Sequence, residues 1–432
     1  MPLVDNAERL FSGFSKLTRD ERFERLLALG AMTPDDVAYL RQGGMQDANL
    51  ADQLIENVIG YFQMPLGVAT NFCIDGRDYV IPMAVEETSI IAALSKTAKW
   101  IRSQGEITTS VSGHCIIGQI QLATVRDFVK FAKILAENKS FLIEKANEDV
   151  AASMVQRGGG VVDLTVRQLL RADGGDMAVI HLTMNSCDAM GANIVNQVLE
   201  YLKTPIENLT GETVTMCILS NLNDQRLTTA NVTIRNVEPL LGARLQEASL
   251  FAEMDPYRAA THNKGVMNGM DPVLIATGND WRAVEAGVHA YAARDGRYQA
   301  ISRWRYQDGV LTGQLVAPII VGTVGGVTAL HPTARLCLNM LDITSSDALS
   351  RVIAAVGLVQ NLGAIKALCT EGIIQGHMKL HLDNLLLVAG AKPDEMPVLK
   401  GRLEDWLVKN KRVSLSQAVA LLDDIRQIPR LL

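Results

Sequence analysis

The chain has 432 residues, of which 48% are apolar and 20% are charged, and its formal net charge is −6. This length predicts two or three domains, and the composition is typical of a well-packed globular protein. The modest charge, without a basic block, gives no support for nucleic acid or an anionic membrane as a partner. Six scattered cysteines without a C-x-x-C pair favour a reducing cytoplasm. The longest apolar run, at about residues 315–330, is interrupted by proline and glycines, so no membrane span is predicted.

The first fifty residues carry the signals of helices. Thr18 and Glu21 have the spacing of a capping box, and Thr33 precedes Pro34 and two aspartates, which is typical of a second helix N-terminus. A turn-rich extended section follows, and a further helix is predicted over residues 86–102.

Residues 113–220 alternate between strand and helix patterns. Strand-like alternation occurs at residues 115–122, 162–166, 177–184 and 214–218, and helical spacing occurs at residues 124–155 and 192–202. The order strand, helix, strand, strand, helix, strand is that of the ferredoxin-like (split βαβ) plan. We therefore predict an α+β protein whose large mixed domain, residues 1–112 and 221–371, is interrupted by a ferredoxin-like domain at 113–220 and followed by a helical C-terminal module at 372–432.

The segment Asp255–Trp281 is polar yet interleaved with apolar residues. It contains five glycines and prolines and shows no helical or strand period, so it is predicted to be loop-rich and close to the surface. Lys264 is either a solvated lysine or a fixed cation for a carbonyl oxygen that gains negative charge. Arg258 has a guanidinium fork suited to a carboxylate.

Paired acids provide a second candidate for chemistry. Glu86 and Glu87 are explained by the dipole of a helix N-terminus, unless another charge lies close to them. Asp280 is a candidate for that charge, because two carboxylates beside one lysine hold a proton between them at neutral pH.

Three further motifs permit two readings each. His377 and His381 have the i, i+4 spacing of a metal pair, with Asp383 as the one evident third ligand, but His377 also suits a general acid on a mobile segment. Residues 188–193 follow a predicted strand and open a helix, so their amides suit a phosphate or a carboxamide. The glycines of residues 322–326 permit either close ligand approach or tight packing.

Several long motifs together point to a known family. They are ENVIG at 56–60, PMAVEETS at 82–89, DAMGAN at 188–193, ILSN at 218–221, DPYRAATHNKGVMNG at 255–269, ATGNDWRAVEAG at 276–287, GTVGG at 322–326 and GHMKLH at 376–381. From residue 50 onward the chain resembles hydroxymethylglutaryl-CoA reductase, and its start is similar to that of the bacterial class II enzymes.

The resemblance implies a two-step, four-electron interconversion of 3-hydroxy-3-methylglutaryl-CoA and mevalonate plus CoA, with two NADH or NADPH and no metal. It implies that Lys264 stabilises the oxyanion, that Glu87 supplies a proton and that Asp280 tunes both. His377, on a mobile C-terminal flap, is implied to protonate the departing CoA thiolate.

The resemblance also implies binding residues and an assembly. The implied substrate contacts are Arg258, Ser89, Asn268, Asn221 and Glu56. The implied contacts to the nicotinamide coenzyme, in the ferredoxin-like domain and the glycine loop, are Asp188, Met190, Gly191, Asn193, Gly322, Gly325 and Gly326. A homodimer with an active site between subunits, or a hexamer built from such dimers, is implied as well.

The choice of coenzyme stays open at the level of the sequence. An NADH-selective relative has an aspartate for the ribose hydroxyl where this chain has Val150 or Ala151, with Glu148 and Asp149 just before. The direction of the reaction is open too. Two rival functions remain, a non-catalytic CoA-binding or nucleotide-binding protein and a CoA-thioester lyase or hydratase. The first is disfavoured because all four implied catalytic residues are present, and the second differs in turning over without nicotinamide.

Overall fold

The computed structural model describes residues 7–370, 382, 384–410 and 412–427. The strands are β1 (Leu66–Ile74), β2 (Arg77–Ala84), β3 (Gly105–Ser112), β4 (Cys115–Leu122), β5 (Gly160–Leu170), β6 (Asp176–Asn185), β7 (Met216–Leu219), β8 (Leu227–Ile234), β9 (Ser302–Gln307) and β10 (Val310–Ala317).

The helices surround these strands. They are α1 (Ala7–Phe11), α2 (Arg19–Ala28), α3 (Pro34–Arg41), α4 (Ala48–Asp52), α5 (Ile90–Gln104), α6 (Phe128–Glu137), α7 (Lys139–Asp149), α8 (Ala152–Val155), α9 (Ala192–Thr210), α10 (Pro239–Met254), α11 (Pro256–Ala276), α12 (Trp281–Ala292), α13 (Gly326–Leu330), α14 (Pro332–Leu341) and α15 (Ser346–Cys369). A 3-10 turn at Phe14–Lys16 and two C-terminal helices, Met396–Asn410 and Leu415–Gln427, complete the set. The protein is thus a mixed α and β structure.

The larger of two sheets has six strands in the order β2-β1-β3-β8-β10-β9. Strands β1 and β3 are parallel, and the other neighbouring pairs are antiparallel. Helices α5, α10, α11 and α15 pack on this sheet, and together they enclose the largest hydrophobic core. Among the described helices, α15 alone is long and apolar enough to cross a membrane, but 67% of its apolar window is buried inside this unit. Burial of this kind is that of the core helix of a globular protein.

The N-terminal helices form a smaller cluster against β1, β2 and α14. The capping boxes expected at Thr18 and Thr33 are both present, with Glu21 and Asp36 as the reciprocal partners. Each box pairs backbone donors that a helix start leaves unpaired, which fixes where α2 and α3 begin.

The smaller sheet has four antiparallel strands in the order β5-β6-β4-β7. Helices α6, α7 and α9 cover one face and form a separate hydrophobic core. A methyl group on Gly118 of β4 would lie 2.7 Å from Leu199 and 2.8 Å from Val195, so glycine allows α9 to approach the sheet this closely. The single helical stretch expected over residues 124–155 is instead divided into α6, α7 and α8.

The chain enters and leaves the smaller unit at one place. Ser112 at the end of β3 is paired with Leu227 at the start of β8, so the two crossings lie side by side. Gly113, just beyond, has φ of 72°, and a Cβ there would lie 1.9 Å from the carbonyl oxygen of Gln225. Only glycine fits this crossing.

The segment expected to be loop-rich, Asp255–Trp281, is instead the 21-residue helix α11 over most of its length. The Asp255 side chain accepts a hydrogen bond from the amide of Tyr257, and Pro256 occupies the first turn, which are good helix-start signals. Gly265 and Gly269 lie inside the helix, and Gly278, with φ of 68°, lies in the turn after it. A Cβ on Gly269 would lie 2.9 Å from the Val356 carbonyl oxygen of α15, so this glycine allows two core helices to touch. Small and polar residues on the buried face erased the period that normally reveals a helix.

Helix α5 begins at Ile90 and not at Glu86, because Ser89 has a left-handed backbone (φ 75°) that a continuous helix excludes. The region of Gly372, His377 and His381 lies outside the described residues. Beyond it, the two C-terminal helices share a small core of their own with Leu382.

Candidate active site

One face of α11 carries the polar residues that the motifs single out. These are Arg258, Lys264 and Asn268, which are exposed or half-buried together with Asp271 on the same face, whereas the residues on the opposite face are buried. With 3.6 residues per turn, these four positions fall within one side of the helix. The helix therefore presents a row of polar groups from a buried, rigid element.

The residues just before Lys264 fix the helix from inside. The His262 ring contacts the Ser302 hydroxyl at 2.7 Å. Asn263 is fully buried, donates to the Gln299 carbonyl oxygen at 2.9 Å and accepts from the Ile301 amide at 3.0 Å. Burial, followed by the charge of Arg258, lowers the pKa of His262 to about 4, so its ring is neutral at pH 7. These anchors were not foreseen, since His and Asn beside a lysine look like site residues in sequence.

Lys264 meets Glu87 across the sequence. The Lys264 Nζ lies 3.2 Å from Glu87 Oε2, although the two residues are 177 positions apart. The side chains are 61% and 43% exposed, and ion pairs this exposed contribute little to stability. Their juxtaposition on a helix and a neighbouring loop is therefore better explained by chemistry than by folding.

Ser89 lies in the same loop as Glu87. Its hydroxyl oxygen is buried and has no hydrogen-bond partner among the described residues. Leaving a buried hydroxyl unpaired is costly, and a bound ligand would remove that cost. This hydroxyl is thus a contact point that the folded chain leaves open.

Asp280 is held differently. Its side chain caps α12 by accepting from the Ala283 amide at 3.2 Å, and Arg282 Nη2 lies 3.2 Å from its Oδ1. In the described part of the chain, no hydrogen bond or ion pair joins it to Lys264 or Glu87. The structure brings Glu87 and Lys264 together and leaves Asp280 on its own helix.

The two glycine-containing motifs form a junction between the sheets. The Thr323 amide donates to the Asp188 carbonyl oxygen at 3.0 Å, and a Cβ on Gly322 would lie 2.7 Å from the Met190 nitrogen. The Gly322 amide in turn donates to Asn279 Oδ1 at 2.8 Å. Asn279 precedes Asp280, so this junction is linked directly to the loop that carries a candidate catalytic acid.

The junction has the features of an anion or carboxamide site. Gly191 (φ 93°) caps α9 without a side-chain hydrogen bond, which leaves first-turn amides of that helix for a ligand. Asn193 lies in that first turn. Gly325 and Gly326 have positive φ and open space where a Cβ would point.

Comparison with known proteins identifies the family of the chain. The family described as hydroxymethylglutaryl-coenzyme A reductase matches residues 21–382. The chain belongs to this family. The reaction of hydroxymethylglutaryl-CoA reductases, from 3-hydroxy-3-methylglutaryl-CoA to mevalonate, is therefore the reaction of this oxidoreductase.

Individual reductases agree over most of their length. The chain is 41% identical over 421 residues to the 3-hydroxy-3-methylglutaryl-coenzyme A reductase of Archaeoglobus fulgidus, covering 96% of this chain and 94% of that one. It is 31% identical to the probable enzyme of Borreliella burgdorferi, covering 86% of each. The reductase structure from Streptococcus pneumoniae has a TM-score of 0.81 at 39% identity, covering 96% of this chain and all of that one. A class II structure from the same organism, bound to NADPH in open conformations, has a TM-score of 0.80 at 39% identity and covers 83% of this chain and all of that one.

The remaining predicted residues lie in various surroundings. Asn221 lines a cleft between the two sheet units, together with Met190, Ala283 and Val284. Glu56 is exposed, and no hydrogen bond or ion pair within the described ranges connects it to the other predicted site residues. Arg258 is half-buried, and burial lowers the pKa of its guanidinium.

Asp149, one of the acids near the position expected for the ribose, already has hydrogen-bond partners within the chain. Asp149 accepts hydrogen bonds from the Tyr201 hydroxyl and, at 3.0 Å, from Lys145. Val150 is half-buried and Ala151 is buried. Two partners within the chain therefore already use the Asp149 carboxylate.

No group of three or more metal-ligating side chains is found among the residues that the structure describes. His377, His381 and Asp383, the alternative metal ligands, lie outside those residues.

Proposed function

We propose that Glu87, Lys264, Asp280 and His377 carry out the proton and charge transfers of the reductase reaction. The observation that carries this assignment is the 3.2 Å contact between Lys264 and Glu87, which places a cation and a proton source side by side. When bound, the reduced nicotinamide supplies the hydride. The side chains of the protein carry out the proton transfers and stabilise the charge that develops.

Lys264 stabilises the oxygen that becomes negative when hydride adds to the thioester carbonyl, and later to the aldehyde. Its ammonium is carried by a helix fixed at Asn263, so it need not be reorganised during the reaction. Glu87, in contact with the ammonium, supplies the proton that the oxygen takes up.

Asp280 tunes the charge of this pair from the N-terminus of α12. Its loop is linked through Asn279 to the Gly322 junction, which supports a role that senses the bound coenzyme. His377 protonates the departing CoA thiolate and so suppresses its return. It belongs to a C-terminal flap, residues 372–432, that closes over the site.

The substrate is held by Arg258, Ser89, Asn268, Asn221 and Glu56. Of these five contacts Arg258 is the best supported, because its side chain is half-buried and has no ion pair among the described residues. A guanidinium in that state suits the free carboxylate of the substrate. The unpaired Ser89 hydroxyl supports a second contact.

The coenzyme, NADH or NADPH, binds at Asp188, Met190, Gly191, Asn193 and the Gly322, Gly325 and Gly326 loop. The uncapped α9 amides and the open glycines support this placement. Residues 113–220 then act as a ferredoxin-like coenzyme domain inserted into the large domain of residues 1–112 and 221–371. The strand order β5-β6-β4-β7 supports that plan.

The enzyme works in the cytoplasm as a homodimer with its active site between subunits, or as a hexamer of such dimers. Exposed apolar side chains near the Arg258 end of α11 support the dimer: Met254 is 70% exposed and Tyr257 is 88% exposed. Apolar groups that exposed are better explained by a partner surface than by solvent.

The test follows the loss of reduced nicotinamide with 3-hydroxy-3-methylglutaryl-CoA, separately with NADH and NADPH and in the presence of a chelator. We expect two equivalents consumed per CoA released, unaffected by the chelator. If neither nucleotide is consumed, the result would favour the alternative function, a non-catalytic CoA-binding or nucleotide-binding protein. Turnover of the thioester without nicotinamide would favour the lyase or hydratase.

A further inference from the structure

The N-terminus of α15 lies where the two sheet units meet, and it makes contacts that no role given so far uses. Helix α15 belongs to the core of the larger unit and begins at Ser346, which is only 2% exposed. The amide of Ser346 donates to Asp188 Oδ1 at 2.9 Å, and its hydroxyl donates to the Cys187 carbonyl oxygen at 3.2 Å. Two neighbouring residues of the loop after β6 are thus bound to one residue of α15.

The Asp188 carboxylate acts as a helix cap supplied from another part of the chain. Within α15, Ser345 accepts from the Ala348 amide at 3.2 Å, which leaves other first-turn amides to be paired from outside the helix. Asp188 accepts from one of these, and a negative charge is favourable at this end of a helix. The Asp188 carbonyl oxygen also accepts from the Thr323 amide, so two segments of the larger unit hold this residue.

A buried arginine connects the same end of α15 to the chain crossing. Arg226 is 3% exposed and immediately precedes β8, where the chain returns to the larger sheet. Its Nη2 donates to Ser346 Oγ at 2.9 Å and to Asp347 Oδ1 at 2.8 Å. Hydrogen bonds from a charged donor are stronger than those between neutral groups. The start of α15 is therefore fixed relative to the place where the chain leaves the smaller unit.

The loop that Ser346 holds contains a strained turn. Cys187 has φ of 52°, in the left-handed region that residues other than glycine seldom adopt. Its amide donates to Asn185 Oδ1 at 2.9 Å, and its carbonyl oxygen is the acceptor for Ser346. A backbone of this kind persists where surrounding contacts determine it. Loss of the Ser346 contacts should therefore let the turn relax and displace Met190 and Gly191, which follow it.

We propose that Ser346 and Asp188 form an anchor that sets the position of the coenzyme loop, residues 188–193, on the larger unit. Arg226 holds the Ser346 end of this anchor. Within the proposed coenzyme site, Asp188 is then a positioning residue, while the backbone amides and Asn193 beyond it meet the nucleotide. The inference rests on the proposed coenzyme site, but the anchor itself does not.

The first test removes the Ser346 amide hydrogen and keeps the helix start. Proline suits the first position of a helix, and Ser345 has the extended backbone (φ −127°, ψ 151°) that the residue before a proline favours. Ser346→Pro lacks the amide donor and the hydroxyl, whereas Ser346→Ala lacks the hydroxyl alone, so their difference reports the bond to Asp188. Arg19→Pro and Arg19→Ala, at the exposed first position of α2, are the matched controls for proline itself.

Two quantities are measured, the amide hydrogen exchange of residues 186–193 and the Kd of NADH and NADPH from nucleotide fluorescence. Relative to Ser346→Ala, we expect Ser346→Pro to exchange about ten-fold faster in this loop and to bind the coenzyme about ten-fold more weakly. The KM for the CoA thioester should stay within about two-fold, and the two Arg19 variants should agree with each other. Equal loop exchange in the two Ser346 variants would overturn the anchor, and equal Kd values would overturn its role in the coenzyme site.

Asp188 provides a second test, which holds even if Ser346→Pro does not fold. Asp188→Asn keeps an oxygen that accepts from the Ser346 amide, whereas Asp188→Ala keeps none. The asparagine should restore most of the coenzyme affinity and loop protection that the alanine loses, although it carries no charge. An asparagine variant that binds the coenzyme as weakly as the alanine variant would overturn the positioning role. A wild type that binds neither nucleotide would speak against the proposed function, and loop exchange in the same pair would still decide the anchor.

Discussion

Two parts of the site are built by opposite means. Helix α11 is held by buried side chains, above all by Asn263, and it presents its chemistry on exposed side chains such as Lys264. The junction of Asp188 and Gly322 is held by backbone groups, and it depends on the lack of a side chain. Removing an exposed side chain from the first part should leave the fold intact but impair the chemistry. Adding a single methyl group to a glycine of the second part should disrupt the junction.

The largest effect is expected for Lys264→Ala. Removing the cation beside the reacting oxygen should lower kcat by about 10²–10³-fold, the scale for losing one electrostatic contact to a transition state. The side chain is 61% exposed, so the melting temperature should hardly change. The measurement is nicotinamide oxidation together with a thermal melt.

Lys133→Ala serves as the control, because Lys133 is an exposed lysine of the smaller unit that lies 3.9 Å from Glu137. It should leave both readings unchanged. A Lys264→Ala enzyme with substantial kcat would remove the lysine from the proposed chemistry.

A smaller effect is expected for Gly322→Ala. The new methyl group would lie 2.7 Å from the Met190 nitrogen and force the two junction loops apart. We expect the KM for the nicotinamide coenzyme to rise by roughly ten-fold, because small displacements of a binding loop are costly. The KM for the CoA thioester should change less.

Gly401→Ala is the matched control, since no atom beyond the adjacent backbone of its own helix lies within 4 Å of the added group. If both KM values of Gly322→Ala equal those of Gly401→Ala, the junction does not bind the coenzyme.

The smallest effect on catalysis is expected for Asn263→Ala. The change leaves the buried Ile301 amide without a partner, at a cost of about 1–3 kcal/mol, and removes the bond to the half-buried Gln299 carbonyl as well. The free energy of unfolding measured in urea should fall accordingly, and kcat should fall by only about three-fold as Lys264 loses its firm support.

Asn410→Ala is the control, because it removes an exposed hydrogen bond made by another asparagine. It should cost far less stability. Equal losses in the two variants would show that the buried anchor is not special.

The sequence was a good guide where the signals are local. The capping boxes at Thr18 and Thr33 depend on residues three positions apart, and both are confirmed. The strand alternation of residues 115–122 is confirmed as β4 for the same reason. The resemblance to the reductase family, carried by long continuous motifs, is confirmed as well.

Signals that depend on distant partners were misread or absent. Helix α11 looked like a loop, because its buried His262 and Asn263 are polar and Gly269 is small, yet each is suited to a partner far along the chain. The Lys264–Glu87 contact spans 177 positions, so spacing alone could suggest it only through the family resemblance.

The paired crossing at Ser112 and Leu227 has a consequence for the engineering of this chain. Because entry and exit are neighbours on adjacent antiparallel strands, replacing the segment between them need not alter the pairing of β3 with β8. Deleting this segment would require only a tight hairpin to rejoin β3 and β8. The four-stranded unit is therefore connected to the six-stranded sheet through the chain at this one place, and it also packs on the larger unit at the junction of Asp188 and Gly322.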